Sequence, residues 1–378
     1  MVKHKRLLEM STTTGLTIPF TGLRKQYNAL RDEILNATDE VLRSGSLMNS
    51  NNTAEFEHWL ARKNRVSYAV TCHSGTQALE IIAEYYRQQL SLVNPRVFMP
   101  SFTYVATANA FIRAGWDIHF IDTDAYGIID DTKFPQGVDY DAVVLVGLYG
   151  KSITHSAHVR SWNHWVATNT IVIEDAAQHW LANSCQRIGD AAVISFDPMK
   201  NLACYGNGGA VVTDNSDLAE FARAWRDNGK PTHNYAGTNS RMSEIDCATM
   251  LIKTQHIDRW QARRAQISDF WRERFAKDSK IRCLIDENNA HNHAHHKFVI
   301  DIDNRNAVKQ KLADLKIETR VHYERPIHEI DVYRQWPGPD MLAVSSSLAR
   351  RVLSLPLYPE LTDLEVEYIS DQVLSCVA

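Results

Sequence analysis

Along the first two thirds of the chain, short β-branched and apolar runs alternate with longer segments whose apolar positions recur every three or four residues. VSYAVTC (66–72) predicts a strand. TQALEIIAEYYRQQL (76–90) behind it predicts a helix, with Leu79, Ile82, Ala83 and Tyr86 on one stripe. RVFMPS (96–101), DIHFID (117–122), AVVLVGLYG (142–150), TIVIED (170–175) and AAVISF (191–196) predict further strands. This alternation is the pattern of an α/β sandwich around a largely parallel sheet. GGAVVTD (208–214) reads as one more strand, but its Gly-Gly entry predicts a hairpin rather than a crossover, which makes the sheet mixed.

From Ser243 the pattern changes. SEIDCATMLIKTQHIDRWQARRAQISDFWRERF (243–275) is helical in period but too long for an ordinary globular helix, which predicts a kink or break. A polar segment (286–296), a strand KFVIDI (297–302), a helix RNAVKQKLADL (305–315) and a last helix after LPLYPELTDLE (355–365) follow. These describe a smaller α+β unit. The expected division is therefore a large domain over 1–250 and a small C-terminal domain over 251–378, with the boundary inside the long helical stretch.

A chain of 378 residues with 44% hydrophobic and 23% charged residues fits a two-domain globular protein. The net charge of −4, without a basic block, argues against nucleic-acid and membrane-surface partners. The longest apolar runs are strand-length, far short of a membrane span. The opening MVKHKRLLEMSTTTG lacks the apolar core of a secretory signal. The six cysteines (72, 185, 204, 247, 283 and 376) are scattered without a C-x-x-C pair, which predicts reduced thiols and a cytoplasmic protein.

Four segments carry candidate chemistry. HSGTQAL (73–79) places Gly75 and Thr76 at a strand-to-helix turn, where backbone N–H groups attract an anion such as phosphate; Ser and Thr there also read as an ordinary helix cap. IVIEDAAQ (171–178) puts Glu174 and Asp175 at the carboxyl end of a strand, where a carboxylate could pair with a cationic ring nitrogen or simply cap the next helix. SFDPMKNLACYGNGG (195–209) sets Ser195 and Lys200 between an apolar run and a glycine cluster. PSFTYVATANAF (100–111) offers Tyr104 either for stacking on a flat ring or for core packing.

In this order, strand–SGT–helix, P-S-F-T-Y-V-A-T-A-N-A, E-D-A-A-Q and S-F-x-x-x-K-N-L-x-x-x-G-x-G-G resemble the DegT/StrS family of sugar aminotransferases, fold-type I enzymes that use pyridoxal 5′-phosphate (PLP). GTNSRMSEI (237–245), VHYERPIH (321–328) and LSLPLYPELTD (353–363) are similar to its downstream signatures, so the resemblance spans about 18–370. It implies a large α/β/α domain with a mixed, mostly parallel sheet and a small C-terminal α+β domain. By resemblance, Lys200 matches the lysine of the internal aldimine, Asp175 the partner of the pyridine nitrogen, and Gln178 the contact to the phenolic oxygen. Tyr104 matches the stacking aromatic, and Gly75, Thr76 and Ser195 the phosphate cradle. Asn239 matches an asparagine that reaches the neighbouring subunit's phosphate, which implies a homodimer with shared active sites. Tyr323 and His328 become candidates for sugar contacts, His328 also reading as a structural hydrogen-bonding residue.

The implied reaction is ping-pong transfer of an amino group from glutamate to a keto group, at C3 or C4, of a nucleotide-linked deoxysugar. Family members with histidine at the Lys200 position resemble dehydratases, so lysine here favours amine transfer. A lyase or dehydratase and a non-catalytic regulatory protein are the alternative readings. Three loops depart from the family pattern: SLMNSNNTAEFE (46–57), GLYGKSITHSAH (147–158), which lacks the usual acidic residue, and HWLANSCQRIGD (179–190). HNHAHH (291–296) gathers His291, His293, His295 and His296, but no second ligand group accompanies it and no metal site is expected.

Overall fold

The computed structural model describes residues 17–91, 93–135, 138–153, 165, 167–182, 188–285, 292–336 and 342–377. The opening segment read for a secretory signal, Cys185, His291 and parts of the atypical loops after 153 and 182 lie outside the described residues.

Every predicted strand of the first two thirds is present. β1 (Tyr68–Cys72), β2 (Arg96–Pro100), β3 (Asp117–Ile121), β4 (Ala142–Val146), β5 (Ile171–Asp175), β6 (Ala191–Ser195) and β7 (Gly209–Thr213) form one seven-stranded sheet in the order β1-β7-β6-β5-β4-β2-β3. β2 to β6 pair in parallel, while β7 is antiparallel to both β1 and β6 and alone runs against the rest. The Gly-Gly entry thus does mark an antiparallel return, with residues 196–208 as its long loop. Every position of β4 to β7 is buried, which is why these strands read as continuous apolar runs rather than alternating ones.

Helices cover both faces. On one, α3 (Gly75–Leu90), α4 (Val105–Arg113) and α5 (Ser216–Trp225) supply Leu79, Ile82, Phe111 and Leu218 to the core. The stripe expected on α3 is the face that is buried. On the other, α1 (Leu23–Ser44), α2 (Asn51–Asn64) and α6 (Glu244–Thr254) contribute Leu30, Phe56, Leu60 and Met250. The long helical stretch breaks at Gln255 and His256, after which α7 (Ile257–Phe275) begins.

α7 joins two cores: Ile257 and Trp260 pack with the large sheet, Ile267, Trp271 and Phe275 with a smaller one. The smaller sheet is antiparallel, in the order β10-β9-β8, made of β8 (Ile281–Cys283), β9 (Phe298–Ile302) and β10 (Val352–Leu355). α8 (Arg305–Asp314) and α10 (Asp363–Val377) add Val308, Leu312 and Ile369 to its core, with Ile18 paired to Ile317 from far upstream. α9 (Ala343–Arg351) packs Leu348 and Ala349 against Val299, Phe102 and Tyr149, so this cluster spans the two sheets. No helix among the described residues is long and apolar enough to cross a membrane.

One carboxylate explains how the atypical 46–57 segment is held. Buried Glu244 accepts from the backbone N–H groups of Ser50 (2.7 Å), Asn52 (2.9 Å) and Thr53 (3.1 Å), and also from the Thr53 hydroxyl. It therefore serves as the anionic cap that the start of α2 lacks in its own Ser50 side chain. Burial works to raise the Glu244 pKa, but the hydrogen bonds from Thr53, Ser50 and Asn52 together hold it below its ordinary value of 4.5. With the folded-state value below the unfolded one, its contribution is full above the unfolded value and is lost as pH falls through the folded value. Glu244→Gln should cost about 1–3 kcal/mol near neutral pH. In urea unfolding series, the gap from wild type should close as the pH is lowered into that window; a pH-independent gap would contradict the assignment.

Candidate active site

The carboxyl ends of β5 and β6, the start of α3 and the edge of the small sheet enclose a cavity of about 420 Å³. Gly75, Thr76, Tyr104, Asp175, Gln178, Ser195, Lys200 and Tyr323, separated widely in sequence, all line it. Asn239 and His328 do not. Asn239 is exposed, bridged to Asp227 and accepting from Arg241 Nη2 at 3.1 Å. His328 is tied through Nδ1 to Ser101 Oγ at 2.5 Å, in the structural hydrogen-bonding setting that was one of its two readings.

Local sequence explains the placement. Ser74 caps α3 by accepting from Gln77 N–H at 3.1 Å, leaving the helix start to face the cavity. A Cβ at Gly75 would come within 2.8 Å of Ser195 Cβ, and one at Gly209 within 2.3 Å of the Ser74 carbonyl carbon. Only glycine at both positions lets α3 sit this close to β6 and β7. The result is a helix N-terminus beside a buried serine, suited to an anion.

The two neighbouring carboxylates divide their roles. Asp175 accepts from Thr107 Oγ1 at 2.8 Å and from Ala177 N–H at 3.3 Å, and lines the cavity. Glu174, one residue earlier and so on the opposite face of the sheet, is fully buried and holds the Ile188 and Gly189 N–H groups at 2.6 and 2.8 Å. His179 stands 3.4 Å from it. A Cβ at Gly147 would collide with that histidine, within 2.1 Å of Nδ1. The bulky departure at 179 is thus accommodated by a glycine in a different strand–loop junction.

Lys200 lies in a turn closed by its own N–H to Asp197 C=O at 2.8 Å and by Met199 N–H to Asp197 Oδ1 at 2.8 Å. Desolvation pulls the Lys200 ammonium below its ordinary value, against the opposing attraction of Asp175 and Asp197. Gln178 accepts from Tyr149 N–H at 2.9 Å and donates to the Tyr323 hydroxyl at 3.4 Å. Tyr149, from the atypical 147–158 loop, also donates to the His322 carbonyl, so that loop braces two walls of the cavity. Tyr104 is 55% exposed and inclined at 32° to the Tyr323 ring, which places it at the mouth rather than in the core.

Sequence reasoning missed Thr107, Lys297, Arg320 and His322 and weighed His296 only as a metal ligand; all except Thr107 line the cavity directly. The signal for Lys297 was a cation directly ahead of FVIDI, a strand apolar at every position but Asp301. His296 is buried, with Nδ1 3.0 Å from Asn201 Oδ1, and His322 has Nδ1 2.8 Å from Ser354 Oγ. Desolvation, helped by Lys297, Arg320 and Lys200, pushes His322 down to about 2, which keeps it neutral. His293 accepts from His295 N–H at 2.9 Å, and among the described residues no group of three or more His, Cys, Asp or Glu could hold a metal ion.

A model of the DegT/DnrJ/EryC1/StrS aminotransferase family matches residues 28–374. The chain belongs to that family. A Geobacillus stearothermophilus pleiotropic regulatory protein is 30% identical to this family member over 373 residues, covering 95% of this chain and 98% of the relative. A Streptomyces venezuelae dTDP-3-amino-3,4,6-trideoxy-α-D-glucose transaminase is 30% identical over 370 residues, covering 94% and 95%. The crystal structure of S. venezuelae DesV with a ketimine intermediate superposes with a TM-score of 0.87 at 30% identity, covering 95% of this chain and 98% of that one. The fold is thus the fold-type I arrangement implied by the sequence motifs, and the chain is an aminotransferase-family enzyme.

Asp175 opposes the desolvation of Lys200, so its removal has a definite sign. Asp175→Asn should lower the Lys200 pKa further. Amine-selective labelling of Lys200, followed by peptide mass spectrometry, should then reach half-maximum at a lower pH than in wild type. An unchanged or higher midpoint would refute the coupling.

Proposed function

We propose that this chain is a PLP-dependent sugar-nucleotide aminotransferase, carrying an amino group from glutamate to the C3 or C4 keto group of a nucleotide-linked deoxysugar. The observation that carries this reading is the convergence on one cavity of a desolvated lysine, a buried carboxylate and a helix start bared by glycine. The residues present fit the cofactor. Gly75, Thr76 and Ser195 would hold its phosphate, and Tyr104 would cover the ring. Asp175, fixed by Thr107 and Ala177, would hold the proton on the ring nitrogen, and Gln178 would contact the phenolic oxygen.

Bound PLP supplies an aldehyde that condenses with amines and a protonated ring that draws electrons from the bond being broken. Lys200 would anchor the cofactor and, once displaced by the donor, take a proton from the donor's α-carbon and return it to the cofactor side. Burial favours the neutral amine that this requires, because it lowers the Lys200 pKa. Tyr323, held by Gln178, is the candidate for sugar contact; His328, bound to Ser101, would act by fixing the wall behind it. Asn239, exposed away from its own cavity, would serve the partner's phosphate in a two-fold homodimer. Relatives named as transaminases of dTDP sugars support the acceptor class.

Purified protein given glutamate and a panel of keto-sugar nucleotides should release 2-oxoglutarate and an amino sugar identifiable by NMR. Lys200→Ala should lose at least about 10²-fold in rate. Deoxygenation of the sugar without net amine transfer would instead indicate a lyase. Full activity in Lys200→Ala would sink the mechanism, and absence of any turnover or cofactor absorbance would favour a regulatory role. Light scattering should give a dimer, and mixing Lys200→Ala with Asn239→Ala chains should restore part of the activity through hybrid sites.

A further inference from the structure

The charged groups lining the cavity are Asp175, Asp197, Lys200, Lys297 and Arg320. The acids are engaged by Thr107, Ala177 and Met199, and they are the groups that attract Lys200. Among the described residues neither Lys297 nor Arg320 is in an ion pair, and Asp197 is the one acid that attracts Lys297. The Lys297 side chain is only 6% exposed, yet among the described residues it makes no hydrogen bond or ion pair. Its ammonium stands 5.3 Å from the centre of the Phe20 ring, and the Arg320 guanidinium lies over the same ring at 5.2 Å. Among the described residues, the Arg320 guanidinium also donates to Met199 Sδ, at 3.7 Å. A buried ammonium without an anionic partner is costly, and an anion arriving with a ligand would favour its charged form.

Both cations are rigidly presented by the small sheet. Lys297 N–H donates to Tyr149 C=O at 3.1 Å just before β9 starts, and Arg320 is bridged to Ser354 of β10 in both directions, at 3.1 and 2.8 Å. The glycine-bounded helix start and Ser195 belong to the large sheet. Lys297 and Arg320 therefore stand on a separate wall from the one suited to the cofactor's phosphate.

We propose that Lys297 and Arg320 form a carboxylate-recognition site for the substrates of this cavity. This rests on the aminotransferase reading above, in which a dicarboxylate donor must enter and a dicarboxylate product must leave. The fork of Arg320 matches a carboxylate, and Arg320 is exposed enough to meet it first; Lys297 completes its neutralisation at depth. The carboxylate comes from one of two sources, the amino donor or an acidic sugar acceptor.

Calorimetric titration of the holoenzyme distinguishes them, using glutarate for the donor and UDP-glucuronate against UDP-glucose for the acceptor. Lys297→Met and Arg320→Gln should each weaken the relevant probe at least about tenfold, the loss expected for one charge-assisted contact. Lys297→Arg should retain most of the binding, and melting curves exclude misfolding. A loss confined to glutarate assigns the site to the donor. A loss for UDP-glucuronate but not UDP-glucose assigns it to the acceptor. Wild-type affinity for both acids in Lys297→Met and Arg320→Gln overturns the site, as does loss of cofactor absorbance with anion binding intact. Binding needs no turnover, so a wild-type protein that transfers no nitrogen would defeat the proposed function while leaving this result to be read separately.

Discussion

The close approach of one helix start to two strands is the constraint on which the rest of the site depends. α3 can reach β6 and β7 because Gly75 and Gly209 leave room that a methyl group would fill. That contact requires β7 to return antiparallel beside β6, and the loop that makes the return possible carries Lys200. A single steric condition therefore sets the start of α3, the buried Ser195 and Lys200 in one place. Ligands gather at the carboxyl ends of parallel strands for a related reason: there the strands and following helices leave an unfilled edge.

Around that edge, polar side chains are held by groups that could not be read as chemical in the sequence. Thr107, in the first turn of α4, fixes Asp175; the Tyr149 backbone fixes Gln178; Ser101 fixes His328. These partners come from α4 and from the segments directly after β2 and β4, so the parallel order β5-β4-β2 brings them alongside. Orientation of a carboxylate by a buried hydroxyl is what turns a strand-end acid into a group with a defined direction.

The sheet was legible because strands buried on both faces leave apolar runs, and because a Gly-Gly entry marks a return. The break near Gln255 was legible from length alone. Asp175 and Lys200 could be placed because their motifs have fixed neighbours, and alternation of the strand separates Asp175 from Glu174 once β5 is known. What could not be read is contact across long sequence separation. Glu244 capping α2, Ile18 joining the small-sheet core and His179 filling the space over Gly147 depend on three-dimensional closure. Lys297 was hidden for another reason: a lysine next to a strand is ordinarily a solvated end, and only the fold of the small sheet against the cavity buries it.

Two lysines in one cavity show how the same burial can produce different chemistry. Desolvation lowers both, but the charged neighbours differ in sign. Lys200 has Asp175 and Asp197 pulling its proton back against desolvation, although its pKa still lies below that of an ordinary lysine. Lys297 has Lys200, Arg264 and Arg320 acting with desolvation, and Asp197 alone against them, so its value falls well below that of an ordinary lysine. An anion arriving beside such a group would raise its pKa, since the ligand supplies attraction that the protein withholds. In the proposed reaction the acid-flanked lysine moves protons, and in the proposed recognition site the base-flanked one binds negative charge.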